Sequence, residues 1–193
     1  MNPTEIMQVL EQKGAVLHGH FVLSSGRHSD LFVQKFRVLE HPRLAQRFGE
    51  SIAEQFPAGF DLVACPAVGA VVLGFTTALA GSARMIFAER SGDAMAFRRG
   101  FEVGPHERVL VVEDVVTTGG SAREVVDLAR AGGGTVVGVG ALIDRSETEE
   151  PPDLTVPLKA LLRVPATSWA PPECPLCARG ERVTDPGSRR LVR

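Results

Sequence analysis

The sequence predicts an α/β fold with a central, mostly parallel sheet flanked by helices. Short, near-continuous apolar runs recur at residues 61–65, 84–88, 109–112 and 135–143, and strands covered on both faces read this way rather than as alternating patterns. Helical patterns separate the runs, as expected of βαβ units. Each run also ends in a polar or glycine-containing segment: PAVGA, ERSGD, EDVVTTGGS and IDRSE. Ligands bind at the carboxyl ends of strands in such sheets, so these four segments are expected to form one site.

Taken in order, residues 3–13 place Ile6, Val9 and Leu10 at helical spacing, and Gly14 is a natural stop. Residues 18–39 hold two apolar runs around the polar SSGRHSD turn, which predicts a hairpin or a pair of extended segments. His41-Pro42 opens a helix with Leu44, Phe48, Ile52 and Phe56 on one side, closed by Pro57 and Gly59. A buried strand over 61–65 leads through PAVGA into an apolar helix over 71–80, and a second strand spans 84–88. Residues 90–107 are a long polar stretch inside a compact domain and are expected to be a mobile loop. The third strand spans 109–112, a helix over 121–131 ends at three glycines, and strands follow at 135–143 and 158–164. The Pro-rich stretch at 151–157 reads as a surface connection, and neither an internal repeat nor a second domain is evident.

At 193 residues the chain suits one domain with a proper core. Its hydrophobic share of 44% and charged share of 23% are those of a soluble globular protein. A net charge of −2 gives no reason to expect nucleic acid or an anionic membrane as partner. No apolar run approaches the roughly 20 residues of a membrane span, and the polar N-terminus does not read as a secretory signal. Three cysteines, an odd number, do not make a disulfide framework. A cytoplasmic location is the expectation.

Glu113 and Asp114 follow four apolar residues, so two carboxylates are expected at the end of a buried strand. Carboxylates accept hydrogen bonds from vicinal hydroxyls such as those of ribose. The next segment, Thr117-Thr118-Gly119-Gly120-Ser121, leads into a helix. Backbone N–H groups at a helix start, small residues and hydroxyls together make an anion site. Carboxylates beside such a cradle suit a sugar phosphate. The plainer alternative is that the doublet solvates a strand end and Ser121 caps a helix. No GxxxxGK[ST] occurs, which excludes a Walker-type loop.

Residues 109–121, VLVVEDVVTTGGS, resemble the phosphoribosyl pyrophosphate signature of the type I phosphoribosyltransferases. With FVLSSGRHSDLFVQK, CPAVGA, ERSGD and Ile143-Asp144-Arg145, the wider chain resembles the orotate branch of that family. The tail around Cys174-Pro175-Leu176-Cys177 is similar to that of one bacterial group of these enzymes. The resemblance implies a single domain with a small hood mainly from residues 1–40, a core over 41–164 and a tail over 165–193. It implies transfer of a phosphoribosyl group to orotate in pyrimidine synthesis, with magnesium as cofactor and a homodimer as assembly.

By position, Glu113 and Asp114 would hold the ribose hydroxyls, and Val115, Val116, Thr117, Thr118, Gly119, Gly120 and Ser121 would wrap the 5′-phosphate. Pro66, Ala67, Val68 and Gly69 would form the pyrophosphate turn, which in the family sometimes contains a strained peptide. Phe32, Val33 and Thr117 would meet the base, and Arg145 would pair with the orotate carboxylate as a planar fork. The competing assignment for Arg145 is a surface ion pair with Glu147 or Glu149. Arg90 matches the arginine at the start of the family's loop. With Asp114, it and the cations Arg98 and Arg99 are the catalytic candidates, acting on the departing pyrophosphate; an ordinary solvated charge run is the alternative for Arg98 and Arg99. Asp93 is a possible helper that nothing in the sequence ranks. The chain departs from the family in lacking an aromatic-lysine pair at Val68-Gly69 and the usual loop lysine and histidine. A base-gripping lysine is also missing near Leu17 or His18, for which His18 or Lys35 could substitute.

No side chain is expected as a metal ligand. One CxxC supplies two thiolates where a structural zinc site normally wants four ligands. Cys174 and Cys177 therefore read as a compact knuckle fixing the tail, with Trp169 packed nearby, and Cys65 as a small buried hydrophobe. A metal shared between two subunits through paired motifs, and a redox role, are less favoured alternatives. Two functional alternatives stand beside orotate transfer: the same chemistry on a purine or uracil, and a non-catalytic sensor that binds nucleic acid.

Overall fold

The computed structural model describes residues 1–23, 26–147, 151–165 and 167–184. Helix α1 (Pro3–Gln12) starts in a reciprocal capping box between Asn2 and Glu5, with Pro3 in its first turn, and buries Ile6 and Leu10. Strands β1 (Val16–Val22) and β2 (His28–Val33) form an antiparallel hairpin. A single turn, α2 (Phe36–Leu39), precedes α3 (Pro42–Glu54), which Pro42 opens. Then come β3 (Leu62–Pro66), α4 (Val71–Ala80), β4 (Arg84–Ser91), β5 (Ala94–Phe97), β6 (Arg108–Val116), α5 (Gly120–Ala131), β7 (Thr135–Asp144) and β8 (Leu158–Arg163). A two-residue β9 (Ser168–Trp169), a 3-10 turn and a short α6 (Pro175–Ala178) end the described chain.

Six strands form the main sheet in the order β5-β4-β3-β6-β7-β8, all parallel except β5 at the edge. Residues of β6 alternate between its two faces. Leu110 and Val112 join Phe48, Ile52 and Leu73 of α3 and α4, whereas Val109 and Val111 join Val125, Val126 and Ala129 of α5. Burying each of the larger side chains among them contributes about 1.5–3 kcal/mol. Gly49 permits the close crossing of α3 and α4, because a Cβ there would lie 2.4 Å from the Thr76 backbone. A second sheet, β1-β2-β9, forms a hood, so part of the tail joins the N-terminal hairpin.

Two boundaries differ from the sequence expectation. The third core strand runs on to Val116 through pairing of Glu113, Val115 and Val116 with β7, so the two carboxylates lie within it rather than beyond its end. The expected loop at 90–107 is partly a hairpin. Gly92, at φ +63, turns β4 back into β5, and the buried Met95 holds β5 against the core. The stretch that follows is anchored too, by Phe101 edge-on to Phe87 at 5.0 Å and by the buried Val103.

Candidate active site

Strands β3 and β6 are adjacent, but the chain leaves β3 for β4 on one side and β6 for β7 on the other. Such a switch of direction opens a crevice at the carboxyl ends of the two strands. The turn after β3 and the loop after β6 border it.

After Pro66 the Ala67–Val68 peptide is cis, and the Ala67 N–H donates to the Ala88 carbonyl. Gly69 then passes directly over β6. A Cβ there would lie 2.0 Å from Asp114 Oδ2 and 2.9 Å from Lys35 Nζ, so any larger residue must displace that pair. Asp114 Oδ1 accepts from the Val115 N–H at 2.6 Å, and its Oδ2 pairs with Lys35 Nζ at 2.7 Å. Glu113 Oε1 accepts from the Asp114 N–H at 3.1 Å. Burial, reinforced by the adjacent Asp114 charge, pushes the Glu113 carboxyl well above the usual carboxylate range.

Beyond Val116, the chain turns through Thr117 and Thr118 into α5. Gly119 is the left-handed N-cap at φ +79, with no side chain capping the helix. A Cβ on Gly119 would meet Leu154 at 2.6 Å. Ser121 therefore lies inside the helix rather than capping it, contrary to the plainer reading of this segment. Glu113 and residues 115–122 line a pocket of about 70 Å³ here. The uncapped helix start turns partial positive charge toward that pocket.

Arg145 is 5% exposed and comes from the end of β7. Its Nη2 donates to the Leu31 carbonyl at 3.1 Å, while its buried Nε has no hydrogen-bond partner among the described residues. Burial lowers its pKa, an effect partly offset by Asp30. The surface pair with Glu147 is not formed: Glu147 faces Arg27 at 3.7 Å and accepts from Ser168. Glu149 lies outside the described residues. Phe32 follows Leu31 in β2, its ring 5.7 Å from Phe21, and Val33 is buried beside it.

Two of the three loop cations are engaged elsewhere. Arg90 Nη1 donates to both oxygens of Glu124 on α5 and to the Asp93 carbonyl. Arg99 makes a two-pronged pair with Glu89 at 2.9 Å on each arm, whereas Arg98 is exposed. Of the two proposed lysine substitutes, Lys35 reaches the doublet and His18 is exposed on β1. Sequence reasoning missed Glu124, whose charge on a helix surface carries no signal of its own. It also missed His20 and His28, which lie beside Cys174 and Cys177.

Comparison with known proteins places this architecture. Residues 37–157 match the phosphoribosyl transferase domain. The chain is 41% identical to the orotate phosphoribosyltransferase of Caldanaerobacter subterraneus over 99% of its length and all of that protein. It is 44% identical to that of Pelotomaculum thermopropionicum over 99% of its length, again covering the whole relative. The crystal structure of orotate phosphoribosyltransferase from Aeropyrum pernix superimposes with a TM-score of 0.70 at 28% identity, covering 82% of this chain and 93% of that one. The chain belongs to the type I phosphoribosyltransferases, in their orotate phosphoribosyltransferase family.

Proposed function

We propose that this protein transfers the phosphoribosyl group of phosphoribosyl pyrophosphate to orotate, giving orotidine 5′-monophosphate and pyrophosphate in pyrimidine synthesis. The observation that carries this reading is the meeting of Glu113, Asp114 and the uncapped start of α5 at one switch point. A ring nitrogen of orotate attacks the anomeric carbon as the bond to pyrophosphate breaks, through an oxocarbenium-like transition state and with inversion. No nucleophilic side chain is needed, so rate comes from positioning and from stabilising charge.

Residues 117–121 hold the 5′-phosphate on N–H groups and hydroxyls, with Val115 and Val116 behind them. Glu113 and Asp114 accept from the ribose hydroxyls, and Lys35 holds the Asp114 carboxylate in place. The turn at Pro66, Ala67, Val68 and Gly69 presents backbone to the pyrophosphate. Arg145 offers its unpartnered Nε to the orotate carboxylate, with Phe32, Val33 and Thr117 beside the ring. Arg90, Arg98 and Arg99 serve the leaving group, Arg90 and Arg99 by exchanging Glu124 and Glu89 for it.

Magnesium fits oxygen donors, and the crevice supplies carboxylates of which Asp114 is already paired with Lys35. The ion would therefore be held largely by the substrate and water, as suits a cation that dehydrates reluctantly. When bound it neutralises the departing pyrophosphate.

A homodimer is supported by Val72, Phe75 and Leu79, which form an exposed stripe along α4, with exposed Val68 in the turn before it; Phe75 and Leu79 are 61% and 62% exposed. No helix among the described residues is long and apolar enough to cross a membrane, and a cytoplasmic location goes with the reading. The test is incubation with magnesium, phosphoribosyl pyrophosphate and each base in turn. Pyrophosphate release with orotate alone supports the proposal; release with adenine, hypoxanthine or uracil but not orotate overturns it.

A further inference from the structure

The hood and the tail meet at four side chains that the transfer reaction does not use. His20 on β1, His28 on β2, and Cys174 and Cys177 around α6 bring their ligand atoms within 4.8 Å of one another. His20 Nε2 lies 2.7 Å from His28 Nδ1, 3.6 Å from Cys174 Sγ and 3.7 Å from Cys177 Sγ. Cys177 Sγ lies 3.3 Å from His28 Nδ1. With metal–sulfur bonds of about 2.3 Å and metal–nitrogen bonds of about 2.0–2.1 Å, a tetrahedral ion separates sulfur from nitrogen by about 3.6 Å. The three sulfur–nitrogen distances bracket that value.

The surroundings orient the ligands for this task. His20 Nδ1 is 2.8 Å from the Glu181 carbonyl, which can only accept. Nδ1 therefore carries the proton, and the Nε2 lone pair turns toward the two sulfurs. A ligating histidine is commonly fixed in this way by a backbone carbonyl. A hydrogen bond could join the two imidazoles, but it accounts for neither sulfur. Three of the four residues are buried, while Cys177 is exposed and gives a metal access. Both thiols are free.

We propose that these four residues form a structural zinc site within one chain. Two nitrogens and two sulfurs in a closed set suit tetrahedral zinc, and they do not suit magnesium or calcium. The site would tie residues 154 positions apart in sequence, His20 and Cys174, into one unit. It reinforces contacts already present: β9 pairs with β2 at His28 and Ser29, Ser29 Oγ donates to the Thr167 carbonyl, and Thr184 N–H donates to the His20 carbonyl. β2 also carries Leu31, whose carbonyl receives Arg145. The metal is thus placed to hold one wall of the crevice without touching the reacting atoms.

The full chain, purified under reducing conditions without chelator, should contain about one zinc per chain by elemental analysis. Added Co²⁺ should give the visible absorption of a tetrahedral thiolate site in metal-stripped protein. Cys177→Ser, which alters the exposed ligand and least threatens folding, should lose the zinc and lower the Tm. Cys177→His, which restores a ligand, should recover both. A wild-type protein that takes up neither zinc nor Co²⁺ with its thiols reduced would overturn the proposal. So would a Cys174–Cys177 disulfide in the protein as isolated, or a Cys177→Ser variant that keeps its zinc.

Discussion

Glu113 is buried beside a second carboxylate, and its position costs the folded protein stability whenever it is ionised. Its folded pKa is raised, so the stability it contributes is present at low pH and lost as pH rises through that raised value. Glu113→Gln is therefore expected to raise the Tm at neutral pH by about 2–4 °C, equivalent to about 1 kcal/mol. The gain over wild type should shrink as pH falls toward about 5. The same variant should bind phosphoribosyl pyrophosphate more weakly, because an amide accepts fewer hydrogen bonds. Calorimetry across pH checks the first outcome and steady-state kinetics the second. Asp114→Asn acts through a different route. It leaves Lys35, itself only partly exposed, without its 2.7 Å partner. A KM for phosphoribosyl pyrophosphate at least tenfold higher is expected, whereas an unchanged value would make the doublet merely structural.

At the scale of elements, the turn after β3 is fitted to β6 through Gly69. Gly69→Ala would drive a methyl into Asp114 Oδ2 and force the Lys35 pair apart. Its expected effect is an increase of at least tenfold in the KM for phosphoribosyl pyrophosphate, with little change for orotate. Most of this framework was legible in the sequence. The four core strands and the helices over 71–80 and 121–131 emerge within a few residues of their observed ends, because continuous apolar runs and glycine stops specify them. The loop at 90–107 was misread because its polar composition hid a short alternation: Met95 alone of Ala94–Phe97 is fully inward-facing. The pairing of Lys35 with Asp114 was not legible, since the sequence suggested Lys35 only as a partner for the base. Residues 79 positions apart meet through the fold, and sequence patterns report local spacing rather than such contacts. The same limit concealed the histidines beside the CxxC motif.

For the molecule as a whole, the exposed stripe of α4 is the surface on which the proposed homodimer rests. Phe75 makes no claim on the fold of one chain, being 61% exposed. Phe75→Glu should therefore leave the Tm within about 2 °C but shift the protein from dimer to monomer in light scattering. A dimer that persists would remove α4 from the interface. The proposed sugar-phosphate half of the crevice rests on Glu113, Asp114 and the glycines at the start of α5. The proposed base half rests on Arg145, one of whose donors is unsatisfied among the described residues. Steady-state kinetics of Arg145→Ala against both substrates test that division most directly. Loss of a charge-assisted bond, about 1.5–3 kcal/mol, predicts a roughly tenfold to hundredfold fall in kcat/KM for orotate with the KM for phosphoribosyl pyrophosphate nearly unchanged. Unaltered use of orotate with impaired use of the sugar substrate would contradict the account.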